Sequence, residues 1–291
     1  MSESLRPVYL AGTARYLPDQ IMSNVEMFDI PSVRNAFDVE KARGSLRGLE
    51  PGEVAALAPA EVFDRWAQQL TGIVERRILP DTPDARTEDM HVAAGRSALE
   101  HAGIDASEVD LLLAASLTAK EDVPNAACTI ADGIGRPDLP GYVLNAACAG
   151  FLHALASAYA FVASGAADTV LVTVGDALTR ITNWDDPKVA VLFGDGAGAA
   201  VVTSNPSPGR ILGTPVLDGE YSPDHLNVTG LGWGHPLGRE HKLTMAGGAN
   251  VLRNAVRSMQ DVADRALERT SVGWDDVDVV VPHQANERIT Q

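Results

Sequence analysis

The sequence predicts an α/β fold in which mixed sheets are covered by helices on both faces, assembled from two related halves. Three observations carry this prediction. Short apolar runs alternate with helix-period stretches along most of the chain. The runs at 109–115 and 169–174 have the composition of interior strands covered on both sides. Ala98-Leu99-Glu100 and Val109-Asp110-Leu111-Leu112-Leu113 are matched, at one constant offset of 168 residues, by Ala266-Leu267-Glu268 and Val277-Asp278-Val279-Val280-Val281. A constant offset across a helix, a loop and a strand points to internal duplication, with chance similarity of two such units as the competing reading. The division this suggests is 1–175, carrying an inserted segment at about 28–59, and 176–291.

Taken in order, Val8 to Thr13 reads as the opening strand, followed by turn chemistry at Tyr16-Leu17-Pro18-Asp19. The charged, irregular stretch 28–59 reads as a helical or loop insertion on the surface. Phe63, Trp66, Leu70 and Ile73 recur at helical spacing, with Gly72 at the end, and on spacing alone Trp66 is a packing residue. Thr87 before Glu88-Asp89 predicts a capped helix ending at Gly103. The run 109–115 is a strand, and 124–135 is a helix with Cys128 and Ile130 in the core. Gly141 to Leu144 is a strand. The stretch 151–162 is so uniformly apolar or small that it predicts a helix buried nearly all round. After the strand at 169–174 come a helix at about 251–267 and a buried strand at 279–281.

Two cysteines, no apolar core near the N-terminus and no run approaching the roughly 18 apolar residues of a membrane span predict a reduced, cytosolic protein. The formal charge of −16 argues against nonspecific nucleic-acid binding and against docking on an anionic membrane.

The candidate chemistry centres on Asn145-Ala146-Ala147-Cys148-Ala149-Gly150-Phe151, a small-residue turn between a strand and a helix. Unpaired N–H groups at a helix start favour a thiolate, so Cys148 is a candidate nucleophile, against the plainer reading of a buried structural cysteine. Gly194-Asp195-Gly196-Ala197-Gly198 lacks the Lys-Ser/Thr of a phosphate-cradling loop and leads into Ala-Ala-Val-Val, which favours tight strand packing. Met245-Ala246-Gly247-Gly248 opens the next helix, where glycines permit close approach to a ligand. Arg253 and Arg257, one turn apart, form either a solvated face or a cationic landing patch. His283 follows a predicted strand, at the edge where ligand groups converge in open α/β sheets, and it reads as a structural or a catalytic histidine.

The motifs Ala146-Ala147-Cys148-Ala149-Gly150-Phe151, Phe193-Gly194-Asp195-Gly196-Ala197-Gly198, Leu243-Thr244-Met245-Ala246-Gly247 and Pro282-His283-Gln284-Ala285-Asn286 together resemble the ketoacyl-acyl carrier protein synthase III family of the thiolase fold. The resemblance runs from Val8 to Gln291 apart from the 28–59 segment. It implies a duplicated αβαβα architecture and a homodimer. It also implies that Cys148 takes an acyl group from acyl-coenzyme A, with no cofactor beyond that thioester, and that His283 assists a malonyl-carrier substrate. Trp66 is similar to the family's adenine-stacking aromatic, although Leu70 stands where the family has Arg. Met245 and Gly247 match a loop near the pantetheine tunnel, and Val123 matches the position that lends a pocket aromatic across the dimer. Arg253, Arg257 and Arg288 are the expected docking surface for an acidic carrier. Family members also use an Asn downstream of the His and a glycine-rich turn near the C-terminus. Neither position falls within these residues, so the second half is expected to be incomplete and the condensation defective. The alternatives are acyl transfer to an amine or hydroxyl of a small metabolite, and a non-catalytic dimer partner.

Overall fold

The computed structural model describes residues 5–219, 226–228, 242–245, 248–285 and 287–290. Its centre is a six-stranded mixed sheet in the order β5-β4-β6-β7-β1-β8, made of β1 (Val8–Tyr16), β4 (Leu111–Ala115), β5 (Gly141–Leu144), β6 (Thr169–Ala177), β7 (Asp195–Thr203) and β8 (Gly209–Ile211). Strand β4 runs parallel to β5 and to β6, while β7 is antiparallel to both β6 and β1. Two-stranded pairs are formed by β2 (Ile21–Ser23) with β3 (Glu75–Arg77) and by β9 (Leu226–Val228) with β10 (Leu243–Met245).

Alternation along the strands builds two apolar layers, as the twofold side-chain period of a sheet requires. Leu112, Ala114, Leu171 and Val201 face one layer, where α6 (Thr87–Ala102) and α7 (Ala126–Gly133) pack. Leu113, Val170, Val172, Ala200 and Val202 face the other, covered by α8 (Gly150–Ser164). Strand β1 carries a bulge at Ala11, and a Cβ on the next residue, Gly12, would lie 2.6 Å from the Ala98 carbonyl and 2.7 Å from the Ala102 amide of α6. Glycine there sets how closely helix and sheet approach.

The segment expected as a surface insertion is a set of short helices, α1 (Asn24–Phe28), α2 (Pro31–Ala36), α3 (Val39–Arg43) and α4 (Pro51–Ala56), of which α1 and α3 pack on α5 (Pro59–Thr71). It is not merely superficial. Met27, Phe28 and Val33 are buried with Phe63, Ala67, Ala190 and Val191, the last two from within and just after α9 (Pro187–Ala190). Gly72, at φ 76°, closes α5. Buried Arg76 of β3 ties α1 to the end of α9, donating to Asn24 Oδ1 at 2.7 Å and to the Val191 carbonyl, and burial lowers its pKa to about 10.

Several expectations are corrected. The division at 175/176 cuts through β6, and β7 and β8 belong to the same sheet as the strands before it. Thr87 is not a cap; its hydroxyl donates to the Thr118 carbonyl at 2.7 Å, and Arg86 holds the cap position. Cys128 is exposed, because the buried face of α7 is made by Ala126, Ala127, Ile130 and Ala131. The stretch Ala147–Ser164 does reach the length and apolarity of a membrane span, contrary to the sequence reading. In this fold it covers the sheet through Ala154, Ala158 and Val162. It is not buried all round, since Leu152 is 46% exposed.

The duplication is visible in α10 (Gly248–Thr270), which repeats α6, and in the 3-10 turn Trp274–Asp276, which repeats the turn Ala106–Glu108 at the same offset. It stops there. Residues 277–285 form no strand, and Val279, Val280 and Val281 are 74%, 58% and 81% exposed rather than buried. Strand geometry needs a ladder partner, and among the described residues none pairs with them. A last short helix, α11, spans Glu287–Thr290.

Candidate active site

Because β5, β4 and β6 are parallel, their carboxyl ends emerge together, and the loops leaving them surround one cavity of about 1160 Å³. Cys148 arrives from β5, Leu117 from β4, and Asp176 stands at the end of β6. Antiparallel β7 brings Gly196 and Gly198 to the same edge, with Gly196 in register with Asp176. His283 lines this cavity too, so the two residues singled out as nucleophile and histidine are brought to one site.

Cys148 lies in the 3-10 turn Ala147–Ala149, immediately before α8. Asn145 Oδ1 accepts from the Ala147 amide at 3.1 Å, and Ala147 is held at φ 45°, a left-handed conformation uncommon for a residue with a Cβ. Gly150 lets α8 start against the sheet; a Cβ there would come 3.1 Å from that of Ala115. The thiol is open to the cavity and hemmed by protein elsewhere. Its surroundings work against the expected thiolate. Burial pushes the Cys148 thiol up, the Asp176 carboxylate adds to that, and the backbone N–H of Cys148 itself pulls the other way. Desolvation on the cavity side lowers the pKa of His283, although the residue as a whole is exposed.

The glycine-rich run is a strand, as its Ala-Ala-Val-Val continuation indicated. Asp195, 5% exposed, accepts from the Leu79 amide at 2.7 Å, the Thr179 amide at 2.9 Å and the Thr179 hydroxyl at 2.6 Å, tying three segments below the cavity. A Cβ at Gly175 would lie 2.5 Å from that of Ala197, so the close β6–β7 approach depends on that glycine.

The remaining candidates lie apart. Trp66 packs against Phe37 and Phe63, with ring centroids 5.1 and 5.8 Å away, and it does not line the cavity. Val123 is 87% exposed and outside its own chain's cavity, although Asp122 and Asn125 line it. Met245 is partly buried in β10, whose Leu243 lines the cavity. Gly247 lies outside the described residues. Arg253 and Arg257 are exposed on α10, and Arg288 has a described place only as part of α11. Sequence reasoning missed Asp176, Leu117 and Thr118. The one available signal was a charged residue, Asp176, ending the apolar run Thr169 to Val174.

Residues 142–217 match the family model described as 3-Oxoacyl-[acyl-carrier-protein (ACP)] synthase III. The chain is 36% identical over 282 residues to the beta-ketoacyl-[acyl-carrier-protein] synthase III of Geobacillus kaustophilus, an alignment covering 97% of this chain and 77% of that protein. This chain belongs to the beta-ketoacyl-[acyl-carrier-protein] synthase III family. The synthase III of Coxiella burnetii is 31% identical over 97% of the chain and 78% of its own length. Among solved structures, the 3-oxoacyl-(acyl carrier protein) synthase III of Pseudomonas aeruginosa superposes with a TM-score of 0.75 at 26% identity, covering 98% of this chain and 77% of that one. The priming β-ketosynthase of the R1128 polyketide pathway gives 0.72 at 31% identity, covering 100% and 78%. The α/β architecture with a mixed sheet is therefore the thiolase fold of synthase III enzymes.

Proposed function

We propose that this chain is a condensing acyltransferase of the synthase III type, with Cys148 as its nucleophile. The observation that carries the reading is Cys148 in the turn before α8, at a cavity shared with His283, in a chain 36% identical to a synthase III over 97% of its length. In the first half-reaction the Cys148 sulfur attacks the thioester carbonyl of an acyl-coenzyme A; the new S–C bond forms, coenzyme A leaves as its thiol, and the acyl group stays on Cys148. In the second, a malonyl-carrier thioester loses CO2, the electron pair of that C–C bond becomes an enolate, and its carbon attacks the acyl-Cys148 carbonyl to expel the thiolate. His283, which lines the same cavity, is suited to donate a hydrogen bond to the enolate oxygen. No bound cofactor is required, because the thioester is itself a substrate.

Trp66, Met245 and Gly247 are proposed for coenzyme A, and Arg253, Arg257 and Arg288 for an acidic carrier, against a net charge of −16 that otherwise repels one. Two copies would associate through the outer edge of β5, where Tyr142 is 38% exposed and Val123 of one copy could reach the other's cavity. A second reading is transfer of the acyl group to an amine or hydroxyl of a small metabolite; aliphatic Val123 and Leu70 in place of the family's Arg alter the acyl pocket and the coenzyme A contact, so a chain-elongation role is not implied.

The test is to incubate the chain with acyl-coenzyme A and map the adduct by intact mass and peptide analysis, then to add a malonyl-carrier and follow CO2 and product. Acyl label on Cys148 is expected, and release of CO2 would show that condensation proceeds without the family's downstream Asn. Label on Cys128 alone would defeat the mechanism, and transfer to a metabolite acceptor without CO2 would favour the second reading.

A further inference from the structure

Two loops of the cavity are held together by one oxygen atom. Asp176 Oδ1 accepts from the Leu117 amide at 2.8 Å, the Thr118 amide at 3.1 Å, the Ser116 hydroxyl at 2.9 Å and the Thr118 hydroxyl at 2.9 Å. The Ala177 amide donates back to Thr118 Oγ1 at 2.8 Å. Ser116 and Thr118 are both 8% exposed. Four donors on one oxygen suit an ionised carboxylate, which only accepts. The ladder gives out at this point: the Ser116 amide still reaches the Leu144 carbonyl at 3.3 Å, whereas Leu117 has turned to Asp176.

Leu117, at the centre of this turn, lines the cavity with Cys148, Phe151, Leu178 and Phe193. A wall of that composition reads an aliphatic acyl chain by shape, and shape is set by where Leu117 stands. We propose that Asp176 is a positioning residue for acyl-chain selection, fixing Leu117 in the cavity wall through the Ser116–Thr118 turn. The inference rests on the proposed formation of acyl-Cys148.

The experiment measures the rate of Cys148 acylation by straight-chain acyl-coenzyme A thioesters of increasing length, with unfolding midpoints recorded for every variant. Leu117→Ala, with the clamp intact, is expected to raise the rate of longer chains relative to the shortest by about tenfold, the scale on which apolar pockets discriminate methylenes. Asp176→Ala should move the ratio in the same direction, and Thr118→Val, which removes one hydroxyl, should move it less. Asp176→Asn keeps an oxygen for the four donors and should restore the parent's order of preference. It also removes a charge near the thiol while Lys120, Glu121, Asp122, Arg180 and His283 of the same cavity stay in place. Its thiol alkylation profile should shift to lower pH through the lost charge alone, so the restored chain-length preference, and not the alkylation profile, reads the positioning role. If the parent chain acylates Cys148 but folded Asp176→Ala and Thr118→Val keep its chain-length ratio, the inference is overturned while the functional reading stands. If no acyl-coenzyme A acylates Cys148 in the parent chain, the functional reading falls and the inference falls with it.

Discussion

The Thr179 hydroxyl donates to Asp195 at 2.6 Å, and the Thr179 amide donates to the other oxygen of the same carboxylate at 2.9 Å. This pair fixes the loop after β6 to the first residue of β7, and the Leu79 amide joins it at 2.7 Å. Asp195→Ala leaves these donors without their acceptor and is expected to destabilise the chain by roughly 2–4 kcal/mol, read from the denaturant midpoint at unchanged slope. A variant as stable as the parent would mean that water replaces the carboxylate.

Burial and Asp176 both raise the pKa of the Cys148 thiol, so its thiolate fraction at pH 7 lies below that of an ordinary cysteine. Iodoacetamide labelling of the free chain should therefore be slow at neutral pH and accelerate through a midpoint above the usual thiol range. Peptide mapping separates it from exposed Cys128. A midpoint below the usual range would show that the start of α8 dominates.

His91 is fully buried in α6, with one ring nitrogen 2.9 Å from the Gly175 carbonyl and the other 3.0 Å from Thr173 Oγ1. Burial is the largest influence and lowers its pKa, against smaller opposing effects of the Gly175 carbonyl, Asp176 and Glu88. The unfolded chain thus binds the proton more readily. Its contribution makes stability fall as pH drops from the ordinary imidazole pKa of about 6.5 towards the lower folded value, and flatten below it. The pH dependence of the unfolding midpoint, compared with His91→Gln, isolates this contribution; identical slopes in the two proteins would contradict it.

Gly12→Ala should cost about 1–3 kcal/mol, because a Cβ 2.6 Å from the Ala98 carbonyl forces α6 away from β1. The same exchange at Gly52, where nothing lies within 4 Å, is the control. Equal melting temperatures for the two variants would show that the bulge at Ala11 absorbs the displacement.

What was legible in the sequence was whatever depends on near neighbours. The spacing of Phe63, Trp66 and Leu70 with Gly72 at the end gave α5, and the apolar runs gave β4 and β6 to within two or three residues. The Cys148 turn was legible because small residues between strand and helix have few other uses. Val279 to Val281 was misjudged because a strand is a relation to a second strand, and apolar β-branched residues do not supply one. One influence on the thiol was not legible for a related reason: the helix start is local, but Asp176, 28 residues on in sequence, reaches the site only through the sheet. The Asp176 clamp on Leu117 spans 59 residues and leaves no periodic trace.

The left-handed backbone at Ala147 narrows the mutational routes open beside the thiol. Of the residues one base change from an alanine codon, glycine and aspartate suit this conformation, whereas valine, threonine and proline do not. A lineage drifting at this position is thus steered by backbone geometry before substrate chemistry is ever selected.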